Sequence, residues 1–146
     1  MKIKEDLISS DSPTNTDKNN NFEKLFVVKG YSWGFIFQAC SRFEINDDNI
    51  FSIIDFVIEK VKESGHDKII FDEKNLLRKF SHFKIVEAVE YFQHLTSGLR
   101  ITKIAFILNK NEDPSMSGFI ENVGFNRGAN FRFFYEMDEA VEWMNQ

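Results

Sequence analysis

The sequence is poor in cysteine and histidine, which limits the metal and redox chemistry that it can support. Cys40 is the single cysteine, so no disulfide can form within the chain, as is usual in a reducing cytoplasm. His66, His82 and His94 are far apart and lack the spacing of a zinc site. We therefore expect no metal and no cofactor, and we interpret Cys40 as a free thiol rather than a nucleophile.

Long apolar runs and an excess of positive charge are also missing. No segment approaches the roughly 20 apolar residues that cross a bilayer, and the first residues are not followed by the apolar core of a secretory signal. The net charge of −5 disfavours binding to phosphate backbones. These absences predict a soluble, cytoplasmic protein that neither inserts into membranes nor binds nucleic acid.

The motifs of nucleotide-binding and hydrolytic enzymes are absent as well. The sequence contains no Gly-x-x-x-x-Gly-Lys phosphate loop and no Gly-x-Ser-x-Gly nucleophile elbow. A receiver-type phosphoacceptor needs an acidic pair after the first strand, but the first strand here ends Val28-Lys29-Gly30. Because no motif implies a mechanism, we expect that the protein is not an enzyme.

One folded domain preceded by a polar tail is predicted for the 146 residues. Residues 1–21 include the segment from Ser9 to Asn21, which is polar apart from one proline, and the tail is therefore expected to be disordered. Residues 22–146 are numerous enough to bury a hydrophobic core without a disulfide or a metal. With 17 phenylalanines in the chain, this core is expected to be rich in aromatic rings.

An antiparallel hairpin is predicted at the start of the domain. Two runs rich in β-forming residues, Leu25–Val28 and Tyr31–Ala39, are separated by Gly30. In the second run, aromatic residues alternate with small or polar ones, which is typical of a strand with one buried face. We interpret this aromatic stripe as a core face, with the lining of a ligand pocket as the alternative; its members are Tyr31, Trp33, Phe35 and Phe37.

Helices alternate with strands in the rest of the domain. Apolar residues at helical spacing and capping residues predict helices from Asp47–Asp48 to Gly65, from Ser81 to Gly98, from Asp113–Pro114 to Gly124, and from Asp138 onward. Further strands are predicted over Lys68–Phe71, Ile101–Leu108 and Phe131–Tyr135. The resulting order, β-β-α-β-α-β-α-β-α, predicts an α/β fold with a mixed, mostly parallel sheet of about five strands, four helices and right-handed crossovers.

One candidate partner- or ligand-binding site lies at the carboxyl edge of the predicted sheet, where open α/β folds bind ligands. Its members follow neighbouring strands or begin the next helix: Asp72, Glu73, Ser81, His82, Asn109 and Lys110. The first four are residue types that can support acid–base chemistry or phosphorylation. The alternative is that Asp72 and Glu73 are solvated loop residues and that Ser81 only caps a helix.

A series of motifs marks the C-terminal third of the chain. These are Ile104-Ala105-Phe106-Ile107-Leu108, Phe119-Ile120-Glu121-Asn122, Asn126-Arg127-Gly128, Phe131-Arg132-Phe133-Phe134 and Glu139-Ala140-Val141-Glu142-Trp143-Met144. The series resembles the ending of bacterial STAS and SEC14-like domain proteins. The order of elements over residues 22–145 is similar to the STAS fold of anti-sigma factor antagonists.

This resemblance implies a regulatory protein-interaction or small-ligand module rather than an enzyme. In regulatory STAS domains, a partner kinase phosphorylates a Ser or Thr at the start of the second helix, beside an Asp after the preceding strand. Here Asp72 is followed by Glu73-Lys74-Asn75, and Ser81 comes nine positions after Asp72, so no clear phosphorylation motif is present. We predict a non-enzymatic module that binds another protein or a second copy of itself, with binding of an apolar small molecule or lipid as the alternative.

Overall fold

The computed structural model describes residues 6–7, 22–40, 42–112 and 114–146. Its strands are β1 (Asp6–Leu7), β2 (Phe26–Tyr31), β3 (Gly34–Ala39), β4 (Glu44–Asn46), β5 (Lys68–Asp72), β6 (Leu77–Lys79), β7 (Lys103–Ile107) and β8 (Phe131–Phe134). Its helices are α1 (Ile50–Ser64), α2 (His82–Thr96), α3 (Pro114–Asn126) and α4 (Met137–Met144). A further helical turn covers residues 22–25.

The main sheet is mixed and mostly parallel, as predicted. Its strand order is β1-β2-β3-β5-β7-β8, in which β1, β2 and β3 pair antiparallel and the remaining pairs are parallel. The order from β3 to β8 advances in one direction, so crossovers of one hand place the connecting helices α1, α2 and α3 on one face. Helix α4 packs on the opposite face.

Three short strands were not predicted. β4 and β6 form a separate parallel pair, in which Glu44 lies opposite Leu77 and Asn46 opposite Lys79. The sequence indicated only a polar connection here, because three residues are too few to show a periodic pattern. β1 pairs with β2, and the other residues of the predicted N-terminal tail lie outside the described residues.

The hairpin between β2 and β3 is confirmed, but its turn is displaced from the predicted position. Gly30 lies within the ladder opposite Phe35, and the turn consists of Ser32 and Trp33. Gly34, which begins β3, has a structural reason to be glycine. A Cβ atom at this position would collide with the carbonyl oxygen of Lys68 in the neighbouring strand β5.

The predicted aromatic stripe is divided between the two faces of the sheet. Phe35 and Phe37 are fully buried in the core beneath the three helices, as the core interpretation requires. Tyr31 and Trp33 stack on each other at the hairpin, with ring centroids 5.5 Å apart, and pack against the cluster beneath α4. The turn between β2 and β3 breaks the alternation, so the four rings do not share one face.

Two of the predicted helix caps are wrong. The N-cap of α1 is Asn49, whose side chain makes no capping bond, while the side-chain oxygen of Asn46 accepts hydrogen bonds from the backbone N–H groups of Asp48 and Asn49 at 3.0 and 3.2 Å. The carboxylate of Asp47 turns away from α1 toward the start of α2. Asp138 lies in the first turn of α4, and the N-cap is Glu136.

Other predicted helix ends are confirmed. Ser81 is the N-cap of α2, and its hydroxyl oxygen accepts a hydrogen bond from the backbone N–H of Lys84 at 3.1 Å. Gly65 ends α1 in the left-handed conformation, with φ of 71°. The C-terminal ends differ slightly, because α2 stops at Thr96 before Gly98, and α3 continues through Gly124 to Asn126.

The last helix packs on the face opposite α1–α3 through the residues that its pattern predicted. Ala140, Val141, Trp143 and Met144 are all buried against alternate residues of the central strands. Ala140 and Met144 have no surface exposed to solvent. The docking of α4 therefore closes one side of the sheet tightly.

Two glycines of α3 differ in their surroundings and provide a matched test of packing. A Cβ at Gly118 would meet nothing within 4 Å, whereas a Cβ at Gly124 would lie 2.5 Å from a ring carbon of Phe131. We expect Gly118→Ala to raise the free energy of unfolding by about 0.5–1 kcal/mol through helix propensity. Gly124→Ala should lower it, because the Phe131 ring is held between Phe92 and Phe106 and cannot retreat freely. Urea denaturation of both variants checks this, and equal stabilisation of the two would contradict the packing described.

Candidate functional site

The acidic pair at the end of β5 is buried, and its two side chains lie on opposite faces of the sheet. Ile69 and Phe71 belong to the core beneath α1–α3 and Ile70 to the cluster beneath α4, so alternation places Asp72 on the α4 face and Glu73 on the other. Their exposed fractions are 4% and 9%. The interpretation of both as solvated loop residues is therefore wrong.

Asp72 has a local partner. One of its carboxylate oxygens lies 3.7 Å from Nζ of Lys74, and the other accepts a hydrogen bond from the backbone N–H of Lys74 at 3.4 Å. Both contacts are made within two residues along the chain. They shape the turn that leaves β5.

Ser81 and His82 connect the start of α2 to two other elements. The backbone N–H and the hydroxyl of Ser81 donate hydrogen bonds to the two carboxylate oxygens of Asp47, at 3.2 and 3.1 Å. The imidazole of His82 lies against the ring of Phe119 in α3, with centroids 4.5 Å apart. The predicted capping role of Ser81 is thus confirmed, and Asp47 is the partner that the sequence did not indicate.

Asn109 and Lys110 order the loop after β7. The side-chain oxygen of Asn109 accepts a hydrogen bond from the backbone N–H of Asn111 at 2.9 Å. The backbone carbonyl of Asn109 accepts another from the backbone N–H of Glu112 at 3.0 Å. Lys110 forms an ion pair with Glu136 at 2.9 Å, and this contact lowers the pKa of Glu136. In the part of the chain that the structure describes, no hydrogen bond or ion pair joins any two of the six predicted site residues.

Glu73 instead belongs to a buried ion cluster with two residues that the sequence did not single out, Arg78 and Glu112. One guanidinium nitrogen of Arg78, Nη2, contacts Oε2 of Glu73, and its Nε lies 3.6 Å from Oε1 of Glu112. The Arg78 side chain is only 5% exposed. Its guanidinium also lies over two aromatic rings, 5.3 Å from the centroid of Phe106 and 5.4 Å from that of Phe133.

Three chain segments that meet at the carboxyl edge bring this cluster together. Glu73 follows β5, where its backbone N–H donates to the carbonyl of Ile107 at 2.9 Å. Arg78 is the central residue of β6, between the buried Leu76 and the half-buried Phe80. Glu112 is held by the Asn109 turn after β7. A period-two pattern, Leu76-x-Arg78-x-Phe80, was the available sequence signal for an inward-facing arginine.

Burial dominates the electrostatics of the cluster. It lowers the pKa of Arg78 to about 10, although Glu112 acts in the opposite direction, and the guanidinium stays charged at neutral pH. Burial also raises the pKa of Glu112, while Arg78 opposes this rise. Since the one cation faces two carboxylates, the cluster carries an excess of negative charge when all three groups are ionised.

Three atoms of the cluster form ion pairs but no aligned hydrogen bond. They are Oε2 of Glu73, Nη2 of Arg78 and Oε1 of Glu112, all buried and without a hydrogen-bond partner among the described residues. A buried polar atom that lacks a hydrogen bond costs about 1–3 kcal/mol. Each of the three atoms instead belongs to one of the two ion pairs of the cluster.

A cavity of about 130 Å³ adjoins this cluster, between the sheet and helices α1, α2 and α3. Its wall is almost entirely apolar and aromatic, with contributions from all three helices and from β5, β7 and β8. Among the lining residues, the charged side chains are Glu73 and Arg78. One of the six predicted residues, Glu73, thus lines the cavity, whereas the aromatic stripe of β3 does not.

The described residues contain neither a metal-binding cluster nor a helix that could cross a membrane. Within the described ranges, no three His, Cys, Asp or Glu residues converge as a metal-ion site would require. The helices in those ranges are too short or too polar to cross a membrane. The cavity and its ion cluster are therefore the features of the carboxyl edge that we interpret further.

Neither protein-family models nor curated protein sequences yield a match to this chain. The likeness to STAS and SEC14-like proteins stays a prediction from sequence motifs and element order.

The opposite pKa shifts of Glu112 and Glu136 predict opposite effects of pH on stability. Glu112 has a raised pKa in the folded state, so its contribution to stability is fully present below its ordinary pKa of 4.5 and is lost as pH rises through the folded value. Glu136 has a lowered pKa, so its contribution is present above 4.5 and is lost as pH falls.

We expect wild type to gain stability relative to Glu112→Gln as pH falls from 7 toward 4.5. Relative to Glu136→Gln, wild type should lose stability as pH falls from about 5 to 3. Urea denaturation across this range measures both differences. If the free energy of unfolding of wild type instead fell relative to that of Glu112→Gln on acidification, the folded protein would favour the carboxylate form of Glu112. That result would contradict a pKa raised by burial.

Proposed function

We propose that this domain binds a small apolar molecule in the cavity between its sheet and helices α1, α2 and α3. The proposal is supported mainly by the volume of the cavity, about 130 Å³, and by its apolar wall. An engineered apolar cavity of about 150 Å³ in another protein stays dry and binds benzene or xenon. The volume therefore suits a ligand of about one ring and is too small for a lipid with long acyl chains.

Energetics also support an occupant. The cavity leaves atoms of its wall without packing partners over about 130 Å³, and contacts that are not made forfeit dispersion energy. Beneath α4, by comparison, Ala140 and Met144 have no exposed surface. A bound ring would restore dispersion contacts that the cavity walls lack.

The position of the cavity supports the same function. Glu73 and Arg78 place one end of it at the carboxyl edge of the parallel strands, where open α/β sheets bind ligands. Ile45 of β4 and Phe80, which follows β6, also line it. This part of the wall depends on two three-residue strands that form a separate parallel pair.

The fold is consistent with the predicted family. We infer a bacterial STAS- or SEC14-like domain because the core order of elements, the mixed sheet and the buried Ala140, Trp143 and Met144 agree with that expectation. Fold alone does not assign a function. Ligand binding in the cavity needs no catalytic group, in keeping with the prediction of a non-enzymatic, cytoplasmic module that does not bind nucleic acid.

Benzene binding tests the proposal directly. Titration of benzene into the protein should shift the methyl NMR signals of residues that line the cavity, such as Ile54 and Ile85. It should also raise the melting temperature, since a ligand that binds only the folded state stabilises it. Methyl signals of Ile36 and Val141, which belong to the packed cluster beneath α4, should move little.

Replacement of either of two alanines by leucine provides a matched control. Ala88→Leu adds volume to the cavity wall, so it should abolish benzene binding while the free energy of unfolding falls by less than about 1 kcal/mol or rises. Ala140→Leu adds the same atoms to a fully buried site, so it should cost about 1–3 kcal/mol and leave benzene binding intact. Equal destabilisation by the two variants, or no shift of the cavity methyls, would contradict the proposal.

Protein interaction at the carboxyl edge is a second candidate function. It is favoured by two exposed apolar side chains close to Ser81 and His82 in sequence, Leu77 and Phe83, whose exposed fractions are 47% and 74%. Burying a phenylalanine in an interface contributes about 1.5–3 kcal/mol. The partner would be another protein or a second copy of this chain.

Self-association through this edge is testable by sedimentation equilibrium. If the edge forms a homodimer, Phe83→Ser should shift the population to monomer by removing apolar area from the interface. Phe125, which is 81% exposed near the C-terminal end of α3, provides the control, and Phe125→Ser should leave the dimer unchanged. A wild-type protein that stays monomeric at high concentration would exclude the homodimer.

A further inference from the structure

The two charged residues that line the cavity interact with each other rather than with its interior. Oε2 of Glu73 and Nη2 of Arg78 are in contact, and both atoms have almost no accessible surface. The guanidinium also lies over the ring of Phe106, 5.3 Å from its centroid, so an aromatic face covers part of it. The ion pair therefore offers these two atoms to each other and not to a molecule in the cavity.

The rest of the described wall is apolar. All the other lining residues are aliphatic or aromatic, and the backbone groups of helices and strands are occupied by their own hydrogen bonds. A hydroxyl placed in the cavity would lose its hydrogen bonds to water without gaining others. A water molecule cannot accompany it, because a buried water needs about two to four polar partners.

Aromatic rings contribute much of the wall, and they already contact one another in favourable geometries. Phe106 stacks on Phe71 with centroids 5.3 Å apart and meets Phe131 edge to face at 5.6 Å. Both geometries are favourable because the face of an aromatic ring is negative and its edge positive. An aromatic ligand can extend this network, whereas an aliphatic ring gains only dispersion contacts. The phenylalanines that line the cavity are Phe26, Phe71, Phe80, Phe92, Phe106 and Phe131.

Size alone does not separate the candidate ligands. A ring with one hydroxyl has nearly the volume of the bare ring, so a cavity of about 130 Å³ suits both. We propose that the cavity takes a single aromatic ring without any hydrogen-bonding or charged group, the class of the aromatic hydrocarbons and their halogenated derivatives, and rejects polar rings of the same size. This inference rests on the proposed function, and it adds the polarity and the aromatic character of the ligand to its size.

Ligands of nearly equal size test the polarity on the unmodified protein. We expect benzene and fluorobenzene to bind with similar affinity, because the fluorine atom brings no donor and only a very weak acceptor. Phenol should bind at least about tenfold more weakly than fluorobenzene, because its hydroxyl leaves water and finds no partner. Benzoate and benzylammonium should not bind measurably, since an unpaired buried charge costs far more than a hydroxyl. Isothermal titration calorimetry at neutral pH provides the dissociation constants.

Cyclopentane tests the contribution of the aromatic wall. It is an apolar ring of similar size without a π-system, and its dissociation constant is corrected for its measured transfer from water to hexane. After the same correction, benzene should bind roughly two- to tenfold more tightly, because aromatic pairs are stabilised beyond the burial of their area. Equal corrected affinities would overturn the aromatic preference.

Two substitutions of valine by threonine assign the rejection of phenol to the apolar wall. Val89 in α2 lines the cavity, and Val141 in α4 belongs to the cluster on the other face; their exposed fractions are 5% and 4%. Threonine has nearly the shape of valine, and its hydroxyl oxygen can accept from phenol even while it donates to the backbone carbonyl of the preceding turn. Val89→Thr should therefore lower the ratio of the phenol and fluorobenzene dissociation constants about fivefold, and Val141→Thr should leave it unchanged. Retained fluorobenzene binding shows that each variant is folded.

The possible outcomes separate this inference from the proposed function. Binding of benzene and fluorobenzene with weaker binding of phenol, in a ratio that Val89→Thr alone lowers, supports both. Phenol binding as tight as that of fluorobenzene overturns the inference and leaves the cavity site standing. A ratio that Val89→Thr does not change overturns the assignment of the selectivity to the apolar wall. Failure of every ligand to bind overturns the proposed function and this inference together.

Discussion

The guanidinium of Arg78 lies in the interior between two carboxylates and above two aromatic rings, and the carboxyl edge of the sheet depends on this arrangement. Glu73 comes from the end of β5, Glu112 from the loop after β7, and Arg78 from β6, so one side chain connects three segments that are distant in sequence. Without the cation, two buried carboxylates would repel each other. The same ion pair adjoins the cavity, because Glu73 and Arg78 are both among the residues that line it.

The two faces of the sheet are packed in different ways, and the difference indicates where function lies. Beneath α4, Ala140 and Met144 have no exposed surface and pack against the central strands. Beneath α1–α3, large aromatic and branched side chains surround a void of about 130 Å³. Protein interiors are normally packed as densely as organic crystals. An apolar cavity of this volume beneath the helices therefore calls for a functional explanation.

Much of the fold could be predicted because long elements repeat their patterns. The apolar stripe of α1, the Ser81 cap and the inward face of α4 all follow from local sequence. β4 and β6 were not predicted, because three residues are too few to show a periodic pattern. The contact between Asp47 and Ser81 was not predicted either, because it joins residues that are 34 positions apart.

Of the six residues predicted as a site from the sequence, one lines the cavity. Glu73 lines the cavity, while Asp72, Asn109 and Lys110 order neighbouring turns. A void depends on how distant side chains fit together, which no local pattern records. A crystal structure of the protein soaked with benzene tests ligand binding in the cavity most directly. We predict electron density for one ring between the sheet and helices α1, α2 and α3. Side chains of α1 and α2 that collapse to fill the space, with no density for a ligand, would contradict it.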